Sequence, residues 1–104
     1  MNEYAVRARE DYNRVAEHYV KTVSVFSEEI MYPRIIALAE KHDGPLAGKS
    51  ILDLGCGAGL LVKRLKDFGA GSVVGIDIST KMLDIGVEMK IGNLVGASMD
   101  TLPF

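Results

Sequence analysis

The segment Asp53-Leu54-Gly55-Cys56-Gly57-Ala58-Gly59-Leu60 sets three glycines at alternate positions between a short apolar run and a stretch of helical pattern. Glycines at a strand-to-helix junction let the backbone turn sharply and approach a ligand without side-chain obstruction. A helix beginning there presents unpaired N–H groups and a positive dipole end, which suits an anionic group. Asp77 closes the next apolar run, 18 positions after Gly59. An acidic residue about 20 positions beyond such a loop is the one that binds ribose hydroxyls. The spacing also narrows the ligand. The dinucleotide fingerprint G-x-G-x-x-G requires a third glycine where this chain has Leu60. No G-K-[ST] of a phosphate loop follows either. A pyrophosphate ligand, and with it an NAD-binding dehydrogenase, is disfavoured.

Around this loop the chain is short. Its 104 residues carry 12 Lys+Arg against 14 Asp+Glu, a formal net charge of −2. That sign and size argue against nucleic acid as a partner, since phosphate contacts need a basic surplus. A hydrophobic fraction of 48% suits one soluble globular domain. No apolar run approaches the ~20 residues of a membrane span, and residues 1–10 lack the apolar core of a signal peptide. The single cysteine, Cys56, excludes an internal disulfide and an all-cysteine metal site. The expectation is a cytoplasmic α/β protein.

The elements that would position the loop follow from periodicity. Residues 3–23 read as an amphipathic helix with Ala8, Tyr12, Val15, Ala16, Tyr19 and Val23 on the buried face. Arg9, Glu10, Asn13, Arg14, Glu17 and Lys21 take the other face. A second helical stretch covers residues 28–42, with a break or kink at Tyr32 imposed by Pro33 and burial expected for Ile35, Ile36, Leu38 and Ala39. Gly44-Pro45 ends it. Residues 50–54 are a strand, 60–68 a helix ended by Gly69, and 72–77 a β-branched strand. Ser79 then caps a helix carrying Met82, Leu83 and Val87, closed by Gly92 and followed by a weaker strand at 93–97. This β-α-β-α-β order predicts a parallel Rossmann-like sheet of three strands, preceded by two to three N-terminal helices.

Four segments carry a family resemblance. Ile51-Leu52-Asp53-Leu54-Gly55-Cys56-Gly57-Ala58-Gly59 resembles the first motif of the class I S-adenosylmethionine-dependent methyltransferases, and Val74-Gly75-Ile76-Asp77-Ile78-Ser79 with Met82-Leu83 resembles their second. Leu102-Pro103-Phe104 is similar to the L-P-F after their third strand. Tyr12-Asn13-Arg14-Val15-Ala16-Glu17-His18-Tyr19 resembles the N-terminal helix of the small-molecule branch. The resemblance implies that residues 1–48 form a helical lid and 49–104 a partial cofactor domain. It implies S-adenosyl-L-methionine as cofactor, S-adenosyl-L-homocysteine as product, and a small-molecule methyl acceptor. By the same resemblance, the backbone of Gly55, Cys56 and Gly57 lines the methionine and ribose part. Asp53 helps fix the loop and the ligand's amino end, and Asp77 accepts both ribose hydroxyls. Ile78 and Met82 pack on adenine, and Ser98 and Met99 stand where the family reads that base. Many relatives have Asp or Asn at Ser98; Asp100 either supplies the missing carboxylate or is only solvated.

Bland readings compete with each of these. Asp77 can cap a turn, Asp53 can serve the loop alone, and Cys56 is a small residue in a tight bend with no histidine nearby in sequence. His18 and His42 lack metal-ligand spacing. Tyr12 and Tyr19 are expected to face the core, with Tyr19 able to reach the ligand. The methionines are packing residues. The family continues through further strands, one of which pairs with its first strand. The strand at Ile51–Leu54 is therefore expected to be an open edge, in a truncated chain or one that forms a homo-oligomer through that edge. No catalytic residue is assigned, and the chain alone is expected to be inactive. The alternative is a non-catalytic edge-pairing module with vestigial cofactor binding.

Overall fold

The structure, a computed structural model, describes residues 1–103, Ser24 by its backbone alone; Phe104 of the third resembled segment lies outside the described residues. Its elements are α1 (Glu3–Phe26), a π-helical turn (Ser27–Met31), α2 (Tyr32–Asp43), β1 (Ser50–Leu54), α3 (Leu60–Asp67), β2 (Ser72–Asp77), α4 (Thr80–Glu88) and β3 (Leu94–Gly96). The three strands are parallel in the order β1-β2-β3, with Ile51 opposite Val73 and Gly75 opposite Leu94. This is the expected α/β arrangement of a partial Rossmann-like domain. No helix among the described residues is long and apolar enough to cross a membrane.

The core is built where α2 and α3 meet the sheet. Ile36, Leu46, Cys56, Val62, Leu65, Val73 and Ile91 are buried against one another. β2 reads as a near-continuous apolar run because it lies between two strands, with Val73 and Ile76 fully enclosed. β1 is an edge, and Leu52 and Leu54 stay 41% and 45% exposed on it.

Three local expectations are corrected. Tyr32 keeps α-helical angles (φ −64, ψ −43) despite the following proline. The proline is accommodated one step earlier: the Tyr32 N–H donates to the Ser27 carbonyl, five residues back. This wider turn shifts the carbonyl that the Pro33 ring would strike, so the helix continues. In α2 only Ile36 is buried, while Ile35 and Leu38 are exposed. In α1 the enclosed stripe is Ala5, Val6, Ala8, Arg9, Asn13, Ala16, Val20 and Val23, with Ala16 buried and the rest half-buried, so Ala8, Ala16 and Val23 of the expected face hold, whereas Tyr12, Val15 and Tyr19 remain about half exposed. The helical period is right but the face is rotated, because α1 packs on α4 rather than on the sheet's core.

Candidate cofactor site

The glycine loop is held by β2. The N–H groups of Gly55 and Cys56 both donate to the Ile76 carbonyl, at 2.7 and 2.9 Å. The Gly57 N–H donates to Asp77 Oδ2 at 2.8 Å, and the Ser79 N–H to Asp77 Oδ1 at 2.8 Å. The loop amides therefore go to Ile76 and Asp77, not to Asp53, which corrects the expected loop-fixing part of Asp53. Gly55 and Gly57 sit at φ +78 and +59, angles that disfavour L side chains. A β-carbon on them would point toward Met99 and Met82, at 4.0 and 3.9 Å, and would begin to fill the space between.

That space is a cleft of about 430 Å³, bordered by a smaller lobe of about 100 Å³ with which it shares Tyr19, Gly55, Gly57 and Met82 as lining. Of the residues named from sequence, Gly55, Gly57, Asp77, Ile78, Met82, Ser98 and Met99 line the main lobe. Cys56 lines the smaller one. Asp53 lines neither, and instead borders a groove beside β1. Met82 and Ser79 are fully buried, which fixes the start of α4 beneath the cleft. Asn2, Tyr4, Ala5, Ala8 and Tyr12 of the N-terminal segment complete the main lobe as its roof, residues that sequence reasoning did not single out as lining it. Tyr12 and Tyr19 meet edge to face, with ring centroids 6.4 Å apart. These tyrosines line the cleft rather than the core. Asp100 also lines it, and both of its oxygens are engaged: Ser98 Oγ donates to Oδ1, and Asn2 Nδ2 to Oδ2 at 2.8 Å.

The electrostatics are one-sided. Asp77 and Asp100 line the cleft, and among the described residues no Lys, Arg or His does. Burial raises the Asp53 carboxyl above its usual range, and the Asp77 charge adds to this. Burial likewise pushes the Cys56 thiol up to about 12, reinforced by Asp77 and Asp53, so Cys56 is no nucleophile at neutral pH. The Tyr32 hydroxyl is raised chiefly by burial, with Asp53 contributing in the same direction. All three groups are thus held toward protonation, first by burial and then by neighbouring carboxylates; Cys56 and Tyr32 border the smaller lobe of the cleft, and Asp53 lies outside it. The arrangement favours a cation and opposes a pyrophosphate.

The Asp53 shift carries a stability consequence. A carboxyl raised in the folded state binds its proton more tightly there than in the unfolded chain. Its contribution is full below the unfolded value and is lost as pH rises through the folded value. Asp53→Asn is therefore expected to raise the melting temperature at pH 7, with the gain shrinking as pH falls through the carboxylate range. Thermal melts at pH 7 and pH 3.5 check this; a variant less stable than wild type at pH 7 would contradict it.

Comparison with known proteins adds the class. A family profile described as methyltransferase domain matches residues 51–104, just over half of the chain, and the chain belongs to that family. The ubiquinone biosynthesis O-methyltransferase of Thiobacillus denitrificans is 51% identical over 41 residues, covering 39% of this chain and 17% of that protein. The ribosomal protein L11 methyltransferase of Cupriavidus metallidurans is 50% identical over 52 residues, covering 50% of this chain and 17% of that one. The matched segment thus spans under a fifth of the length of either relative. Among solved structures, the crystal structure of magnesium protoporphyrin IX methyltransferase from Synechocystis PCC 6803 with bound SAM superposes with a TM-score of 0.75. It shares 21% identity and covers 98% of this chain and 58% of its own. That likeness is one of fold, and it extends through the N-terminal helices.

Proposed function

We propose that this chain forms the S-adenosylmethionine-binding part of a methyltransferase acting on a small-molecule acceptor. The observation that carries the reading is an acidic, glycine-floored cleft at the carboxyl ends of β1 and β2. S-adenosylmethionine has a sulfonium cation, an amino-acid end and a ribose, and no pyrophosphate, which suits a lining with two carboxylates and no basic side chain. Asp77 spends one lone-pair direction of each oxygen on Gly57 and Ser79, and its remaining directions are free for the two ribose hydroxyls. Ile78 and Met82 give an apolar surface for the base, and Ser98 with Asp100 gives a polar edge. Gly55 and Gly57 leave the room that side chains would close.

When bound, the cofactor supplies the methyl group and the leaving thioether. This chain's residues bind and orient it, and α1 limits water access, which is how alignment and desolvation contribute to such a transfer. The covered cleft supports a small acceptor. We place the protein in the cytoplasm, in keeping with its buried free thiol at Cys56. Calorimetric titration with S-adenosylhomocysteine, with NADH as the control, tests the reading. Heat from the first and none from the second is expected; no heat from folded protein with either would overturn it.

One observation favours a second reading, a module that pairs with its own copy along β1: that edge carries half-exposed Leu52 and Leu54 beside an apolar groove of about 420 Å³. Light scattering tests the pairing, since a strict monomer contradicts it, and the titration with S-adenosylhomocysteine separates the two readings.

A further inference from the structure

The roof of the cleft is fastened by a side chain that the function proposed above does not use. Asn13 lies on the enclosed stripe of α1, opposite the start of α4. Its Oδ1 accepts from Ser79 Oγ at 2.6 Å and from the Lys81 N–H at 3.1 Å, and its Nδ2 donates to Thr80 Oγ1 at 3.2 Å. The first N–H groups of a helix have no partner within it. In α4 they are shared between two residues: Ser79 Oγ accepts from the Met82 N–H at 3.2 Å, and Asn13, from another helix, takes Lys81.

We propose that Asn13 is a positioning residue: an inter-helix cap that latches α1 over the cofactor cleft and couples it to Asp77. The coupling runs through bonds already described. Asp77 holds the Ser79 N–H, Ser79 donates its hydroxyl to Asn13, and Asn13 neighbours Tyr12 in the roof. A second fastening, Asn2 to Asp100, ties the start of the same segment to the loop after β3. Between them lie Ala5, Ala8 and Tyr12, which face the cleft. The required chemistry is an acceptor oxygen aimed at a helix N-terminus, where negative charge is also favoured. Aspartate at this position therefore keeps the latch, and alanine removes it.

The latch rests on the cofactor reading only for its effect on affinity, so the test has a ligand-free arm. Amide hydrogen exchange of the full chain without ligand reports α1 docking, with the amides of β2 as the internal reference. Asn13→Ala is expected to speed exchange across α1 while leaving β2 unchanged. It is also expected to weaken S-adenosylhomocysteine binding by about tenfold, the order expected when three hydrogen bonds are lost and part of their net contribution bears on the docked roof, mainly through faster dissociation. Asn13→Asp is expected to restore both to within about twofold of wild type. If the alanine variant does not fold, Asn13→Gln serves in its place, since it keeps the amide but displaces the oxygen by a methylene. Unchanged α1 exchange overturns the latch. Equal weakening by the alanine and aspartate variants does so as well. Wild-type protein that takes up no S-adenosylhomocysteine, while α1 exchange responds as stated, overturns the cofactor reading instead.

Discussion

Asp77→Ala is expected to weaken S-adenosylhomocysteine binding by at least about a hundredfold, and Asp77→Asn by at least about tenfold. The carboxylate stands between the loop and the ligand. It holds the Gly57 and Ser79 N–H groups at 2.8 Å each, and it faces the cleft where the two ribose hydroxyls would lie. A hydrogen bond to a charged partner contributes about 1.5–3 kcal/mol, so losing two of them accounts for the hundredfold alone. Alanine also leaves two backbone N–H groups without their acceptor, and one of these holds the bend of the loop. Asparagine keeps one oxygen but turns the other position into a donor, which then faces an N–H. Calorimetry on both variants, with circular dichroism to establish folding, decides the matter. A folded alanine variant that binds as wild type does would remove Asp77 from the site.

What the sequence disclosed and what it hid divide along a physical line. The glycine loop, the β2 strand and the Ser79 cap were legible because each is specified by residues within a few positions of one another. The cap is the plainest instance: Ser79 Oγ accepts from Met82, three residues on. Pro33 was legible as a perturbation but not in its form, since local rules allow a break and the chain used a five-residue turn to Ser27 instead. The role of Asn13 was illegible. Its partners lie 66 to 68 positions away, and on helical spacing alone it belonged with the charged residues. Tyr12 and Tyr19 were placed on a buried face because their rings are apolar. An amphipathic ring serves a half-open cleft equally well, and periodicity says which residues share a face, not what that face meets. The burial expected of Ile35 and Leu38 failed for a related reason: Ile35 borders the half-open groove beside β1, and Leu38 is more than half exposed. The order β1-β2-β3 follows from the family resemblance rather than from the β-α-β succession, which would equally allow the first strand to lie in the middle.

Gly86→Ala is expected to destabilise the protein and loosen the site together, although the same change in an exposed helix would stabilise it. Gly86 lies inside α4, where alanine gains about 1 kcal/mol of helix propensity over glycine. Against this, a β-carbon at Gly86 would run into the backbone carbonyl of Ala58 and stand 2.5 Å from Leu94 Cδ1. Leu94 can turn aside. The Ala58 carbonyl cannot move alone, because it belongs to the loop pinned at Gly55, Cys56 and Gly57 to the end of β2. Overpacking of this kind costs about 1–3 kcal/mol, so the propensity gain is outweighed wherever the loop resists displacement. The expected result is a melting temperature lowered by roughly 5–10 °C for a domain of this size. Weaker S-adenosylhomocysteine binding is expected alongside it, since the loop that yields is the floor of the cleft. Both follow from one contact, so they should appear together. A variant that melts higher than wild type would mean that α4 and the glycine loop are not in the close contact that fixes the position of Gly57 beneath the ligand.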